Sequence, residues 1–250
     1  MTKYLLIDSD NAFPLTPQGE LLLADAAPNT PSAHARISDG VVAVRLTDQR
    51  ASDISFTTGD ARSHASDPVV SRAVALLSAR ELMRFDPTDG SELNWGNDGA
   101  ARGASGRPIF PRIDPCVIGI VEHADGERIL LGENRRRPGY YTCIAGYVDA
   151  GETAEAAFSR EVLEETGRRV RDISYVCSQP WAMSGSLMLG FYSRTGDTDA
   201  HGPLDGELGS IIWATRSDLA RLTLAKTGSI ARALIEKWAR GELKEACSGN

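Results

Sequence analysis

Cysteine is scarce and scattered in this chain. Its 250 residues include only Cys116, Cys143, Cys177 and Cys247, with no Cys-x-x-Cys pair. That spacing excludes a disulfide framework and points to reduced thiols, hence to a cytoplasmic protein. Long hydrophobic runs are missing too: nothing approaches the roughly 18 apolar residues that a membrane-spanning helix needs. The N-terminal stretch MTKYLLIDSDNAFPL reaches Asp8 and Asp10 too soon for a signal peptide. Basic charge is in deficit, with 27 Lys and Arg against 34 Asp and Glu and a net charge of -7. A protein built mainly to coat nucleic acid is thereby disfavoured, although a local basic patch is not. Hydrophobic and charged fractions of 42% and 24% are those of an ordinary globular chain.

Three regions differ in character. Residues 1–84 carry short apolar runs, Tyr4 to Ile7, Leu21 to Leu23, Val41 to Leu46 and Ile54 to Phe56, separated by Pro, Gly, Asn and Asp. These read as strands. After Pro68, the residues Val70, Val74, Leu77 and Leu82 keep helical spacing. This small α+β domain has no residue that announces chemistry, and a scaffold or dimerisation role is its simplest reading. Residues 85–108 turn rich in Gly, Ser, Asn and Asp, as a linker does. From 109 to 250 the strand pattern returns. Cys116 to Val121 and Arg128 to Leu131 flank an Asp125-Gly126 hairpin signal. Arg135, Arg136 and Arg137 then form a basic run, either a solvated turn or a phosphate clamp. Toward the end, Ile230, Leu234, Ile235 and Trp238 form an apolar stripe on a helix starting near Ser229.

The most informative stretch is Gly146 to Gly167, GYVDAGETAEAAFSREVLEETG, with six acidic residues. Thr153 is a plausible N-cap and Gly167 a C-cap. On that helix Glu161, Glu164 and Glu165 fall at i, i+3 and i+4 and share one face, where like charges repel. An arrangement of this kind calls for a cation, and a set of oxygen ligands suits Mg²⁺ or Mn²⁺.

The spacing Gly146, five residues, Glu152, seven residues, Arg160-Glu161, Val162, one residue, Glu164-Glu165, one residue, Gly167 resembles the Nudix box of hydrolases that split nucleoside diphosphates linked to another group. Only Arg168 departs, since the family usually has an aliphatic residue there. The resemblance implies an α/β fold of α+β type, a Nudix α/β/α sandwich around a mixed sheet. It also implies that Glu161 and Glu165, with the backbone carbonyl of Ala145, bind metal. Glu164 would join them as ligand or base, while Glu152 and Arg160 would pair to hold the loop on the helix. Divalent ions would neutralise the diphosphate and activate water.

Downstream, Ser178-Gln179-Pro180-Trp181 looks like the motif of the NADH pyrophosphatase branch of that family. This similarity implies a substrate-binding segment from Gln179 through Pro180, Trp181, Ala182, Met183, Ser184 and Gly185 to Ser186. The branch has Pro-Phe-Pro where this chain has Ala182, Met183 and Ser184. Glu207 matches a further metal-binding carboxylate, and Ala231 a substrate contact. Tyr147, with Phe110 from a partner subunit, would stack on the nicotinamide. The implied substrates are NADH and NAD⁺, split to nicotinamide mononucleotide and AMP, and NAD caps on RNA 5′ ends; the implied assembly is a homodimer.

Members of the branch usually carry a four-cysteine zinc ribbon. Here Phe85-Asp86-Pro87-Thr88-Asp89-Gly90 keeps the frame of its first pair with aspartates in both cysteine places, and the second pair would fall near Arg102 and Ser105. Structural zinc needs four N or S ligands, so none is expected. The altered tail leaves two alternatives open: a broader dinucleotide or ADP-ribose pyrophosphatase, and a non-catalytic nucleotide sensor on the same scaffold.

Overall fold

The computed structural model describes residues 1–28, 33–47, 57–135 and 137–243. The chain forms two compact units, one of Met1–Ile113 with Trp181–Gly185, the other of Asp114–Pro180 with Ser186–Asn250.

In the first unit the strands are β1 (Lys3–Ile7), β2 (Ala12–Pro14), β3 (Ala33–Ser38), β4 (Val41–Arg45) and β5 (Thr58–Asp60). They make a three-stranded sheet in the order β1-β4-β3 and a separate antiparallel β2–β5 pair. Helix α1 (Pro68–Leu82) starts where the Asp67 side chain accepts the N–H groups of Val69 and Val70. Pro68 occupies the first turn, where a missing N–H costs nothing. Val70, Val74 and Leu77 pack with Leu5, Ile7, Phe13, Ala35 and Ile37 into one core. Leu82 stands out of that stripe, 82% exposed. The run Leu21 to Leu23 forms no strand; its neighbourhood makes only isolated bridges, Leu15 to Leu21 and Tyr4 to Ala24. Ile54 to Phe56 lie outside the described residues.

Residues 85–108 make local structure of their own. A short hairpin pairs β6 (Asn94–Trp95) with β7 (Ala101–Arg102). Around it the buried Asp86 carboxylate accepts the Ser105 hydroxyl at 2.6 Å and the Thr88 N–H at 2.8 Å. Ser91 donates to Asp89, and its Oγ accepts the Ala104 N–H at 2.7 Å. Positions 86 and 105 thus touch directly. Hydrogen bonds link the two turns.

The second unit contains β8 (Asp114–His123), β9 (Arg128–Asn134), β10 (Tyr140–Thr142), β11 (Ile144–Tyr147), β12 (Arg171–Trp181), β13 (Ser186–Thr195), β14 (Leu208–Thr215) and β15 (Thr223–Leu224). They form a mixed eight-stranded sheet in the order β12-β13-β8-β9-β10-β15, with β11 on β8 and β14 on β9. Strand β13 runs parallel to β8, whereas β11 is antiparallel to it. Helix α2 (Ala154–Thr166) packs Ala157, Phe158 and Val162 with Val117, Val121 and Leu130. Helix α3 (Ile230–Ala239) packs Ile230, Leu234, Ile235 and Trp238 with Ile118, Ile120, Ile129 and Leu131. Alternate β8 residues therefore face different helices, which is why that strand reads as an unbroken apolar run. Among the described residues no helix is long and apolar enough to cross a membrane.

Candidate active site

Helix α2 holds the carboxylates by its ends. The Thr153 hydroxyl accepts the Ala156 N–H, and Gly167 adopts φ 68° while its N–H returns to the Leu163 carbonyl. A left-handed residue closes a helix most cheaply when it has no Cβ. Strand β11 meets this helix at Gly146. A Cβ on Gly146 would lie 1.9 Å from the Glu161 carboxyl carbon and about 2 Å from its oxygens. Only glycine lets that carboxylate lie against the strand, one residue beyond Ala145.

Arg160 organises the acids. It grips Glu152 through Nε and Nη2, at 3.0 and 2.9 Å, and its Nη2 also reaches the Tyr147 carbonyl at 2.9 Å. Its Nη1 takes Glu161 and Glu164, each at 2.9 Å. Hydrogen bonding to Glu152 first holds the Glu152 carboxyl below its ordinary range and raises the guanidinium above its own. Burial raises Glu161 against the pull of Arg160.

Glu165 has no such partner. It is 6% exposed, and its Oε2 is buried without a hydrogen bond. Burial pushes its carboxyl up to about 8, aided by Glu161, Asp205, Glu207 and Glu164 in that order. Burial and the Glu161 and Glu165 charges likewise push the Cys116 thiol up to about 12. A carboxylate cluster with one buried oxygen left unbonded is the environment that a hard divalent cation relieves. Among the described residues no group of three or more His, Cys, Asp or Glu is arranged to hold a metal ion. Glu161 and Glu164 are both engaged by the Arg160 guanidinium, and the donor types present fit a divalent ion.

Sequence reasoning passed over Asp205. Its N–H donates to the Glu164 carbonyl at 3.1 Å, and its carboxylate accepts the Glu207 N–H at 2.9 Å. These bonds moor the Glu207 loop to α2. An acid two residues before Glu207 was the available signal.

Tyr147 is half exposed, its hydroxyl 3.3 Å from the buried Ser186. Phe110 is exposed in the other unit. Gln179 presents no free amide: Nε2 donates to the Gly228 carbonyl and Oε1 accepts the Ile230 N–H, both at 2.7 Å. Pro180 is exposed beside it. The residues that follow Pro180 divide between the two units. Ala182 is buried in the first unit's core with Met183 against it. Trp181 lies under the Arg62 guanidinium at 5.2 Å. Ser184 is exposed, and Gly185 turns the chain at φ 69°. Ala231 is buried, its carbonyl accepting the Cys143 thiol at 3.7 Å. In the basic run, Arg135 donates to the Leu208 carbonyl and Arg137 lies over Tyr140. Arg136 lies outside the described residues.

Arg168 is held by an aromatic ring and by backbone carbonyls. Its guanidinium lies 5.5 Å from the Trp213 ring, and Arg128 lies 5.3 Å from the same ring. Arg168 also donates to the Thr166 and Thr198 carbonyls, and Trp213 Nε1 shares Thr198.

Residues 113–237 match the NUDIX domain. The chain is 39% identical over 184 residues to the NAD-capped RNA hydrolase NudC of Vibrio vulnificus, covering 70% of this chain and 67% of that protein. Over 194 residues it is 36% identical to the NAD-capped RNA hydrolase NudC of Mycobacterium bovis, covering 71% of this chain and 62% of the relative's length. A Nudix hydrolase structure from Nitrosomonas europaea shares the fold at TM-score 0.50 and 16% identity, over 65% of this chain and 93% of that one.

Proposed function

The chain belongs to the Nudix family, and from that premise we propose that it is a metal-dependent hydrolase of NADH and NAD⁺ that also removes NAD caps from RNA 5′ ends. Water adds to one phosphorus of the diphosphate, the bridging P–O bond breaks, and nicotinamide mononucleotide and AMP leave. The observation that carries this reading is the partnerless, buried Glu165 carboxylate among Glu161, Glu164, Asp205 and Glu207. The relatives named as NAD-capped RNA hydrolases support the substrate class.

Glu161, Glu165 and Glu207, with the Ala145 carbonyl, would hold Mg²⁺ or Mn²⁺. When bound, the ion supplies Lewis acidity and charge neutralisation for attack on a diphosphate that otherwise repels its nucleophile. Arg160 fixes the carboxylate geometry from one side, and Glu152 fixes Arg160. Glu164, exposed at the edge of the cluster, would accept a proton from the attacking water. The half-exposed Tyr147 ring offers a face on which a flat heterocycle stacks. A cytoplasmic homodimer without structural zinc completes the proposal and rests on the sequence resemblance and the cysteine pattern.

The test is to incubate purified protein with NADH and Mg²⁺ or Mn²⁺ and separate the products. Nicotinamide mononucleotide and AMP in equal amounts are expected. Measurable NADH binding with no mononucleotide released overturns the hydrolase reading.

A further inference from the structure

Helix α3 begins with N–H groups that its own turns cannot satisfy. Ser229 meets one of them: its Oγ accepts the Arg232 N–H. The Ile230 N–H is met from a distant strand, by Gln179 Oε1 at 2.7 Å. The same amide sends Nε2 to the Gly228 carbonyl at 2.7 Å. One planar group thus bonds both sides of the turn into the helix, so neither bond can shift without the other.

The opposite side of that turn is tied to the strands of the site. The Ala225 N–H donates to the Tyr141 carbonyl at 3.0 Å, and the Lys226 N–H to the Tyr140 hydroxyl at 3.3 Å. The Cys143 thiol reaches the Ala231 carbonyl. Cys143 directly precedes β11, which brings Ala145 and Gly146 to Glu161. Gln179 has both ends of its amide occupied, so its geometry is that of a brace and not of an open ligand contact.

Building on the hydrolase reading, we propose that Gln179 is a positioning residue, which clamps the Gly228–Ile230 turn to β12 and through Ala231 and Cys143 holds β11 in register with Glu161.

The test measures amide exchange at Ile230 in the ligand-free protein, beside NADH kinetics and thermal unfolding, for Gln179→Ala and Gln179→Glu. In Gln179→Ala, Ile230 exchange should accelerate and kcat/KM should fall about tenfold, with the protein still folded at the assay temperature. Gln179→Glu keeps an acceptor for Ile230 but turns a carboxylate oxygen toward the Gly228 carbonyl, which repels it, so its Ile230 exchange and its kcat/KM should both fall between those of wild type and Gln179→Ala. If Gln179→Ala does not fold, the glutamate variant alone decides, by exchange at Ser229 and Ile230 and by kcat/KM. Unchanged Ile230 exchange overturns the clamp. Faster exchange with unchanged kcat/KM makes the clamp purely structural and overturns the positioning role. A wild-type protein inert on NADH overturns the functional reading and the positioning role with it, whereas the exchange result still judges the clamp.

Discussion

Glu165 bears a cost in the metal-free protein that can be measured. An exposed glutamate releases its proton near pH 4.5, while this one holds it to about 8 because burial and four neighbouring acids oppose the charge. Between those two values the folded chain carries a proton that the unfolded chain has lost. Folding then takes up a proton, and stability falls as pH rises through that window, by at most about 1.4 kcal/mol per unit. Urea midpoints at pH 5 and pH 8 in the absence of metal should therefore differ more for wild type than for Glu165→Gln. Adding Mg²⁺ should raise the wild-type midpoint chiefly at pH 8, where the ion and the ionised carboxylate coexist. The same variant should lose turnover while keeping its fold. Equal pH slopes in the two proteins would contradict the burial argument, and wild-type rates in the variant would contradict the ligand role.

At the scale of the element, α2 was legible because every cue was local. Thr153, the apolar set Ala157, Phe158 and Val162, and Gly167 all fall within one short window. The α3 stripe was legible for the same reason. Strand β3 was not, because Ala33–Ser38 reads AHARIS and only Ala35 and Ile37 face the core. A small alanine carries little hydrophobic signal. Glu122 was equally hidden: it is buried, and its acceptors' partners, Tyr192 and Trp238, lie 70 and 116 residues away. The packing of Ala182 in the first unit's core was hidden too, since its partners there lie more than a hundred residues earlier. Arg168 gives this scale its prediction. Arg168→Leu restores the usual aliphatic residue but removes the bonds to Thr166 and Thr198 and one cation over Trp213. Urea unfolding should show a loss of about 1 kcal/mol, with NADH turnover within about twofold of wild type. A stabilised variant would mean that an aliphatic residue packs better there than the guanidinium does.

Across the whole molecule, metal demand should be confined to one place. The expected ions are hard and oxygen-bound, and residues 85–109 hold together through Asp86, Ser91 and Ser105. Purified protein should bind no zinc tightly, and a strong chelator should abolish activity without lowering the thermal midpoint of the first unit. Ser105→Ala, which removes the bond to the buried Asp86, should lower that midpoint by an amount corresponding to about 1–3 kcal/mol. About one zinc per chain, or chelator-induced melting of the first unit, would refute this division.

The direct contact between Asp86 and Ser105 also bears on oxidative stress. Thiolates that grip a metal are open to peroxide, and their oxidation to sulfenic or sulfinic acid releases the ion and the fold together. A carboxylate and a hydroxyl have no such ladder to climb. Of the described cysteines, Cys116 and Cys143 are buried and Cys177 is partly so, and all three lie beyond residue 109. The segment that joins the N-terminal sheet and helix to the residues leading into β8 therefore keeps its shape whatever the redox state of its surroundings.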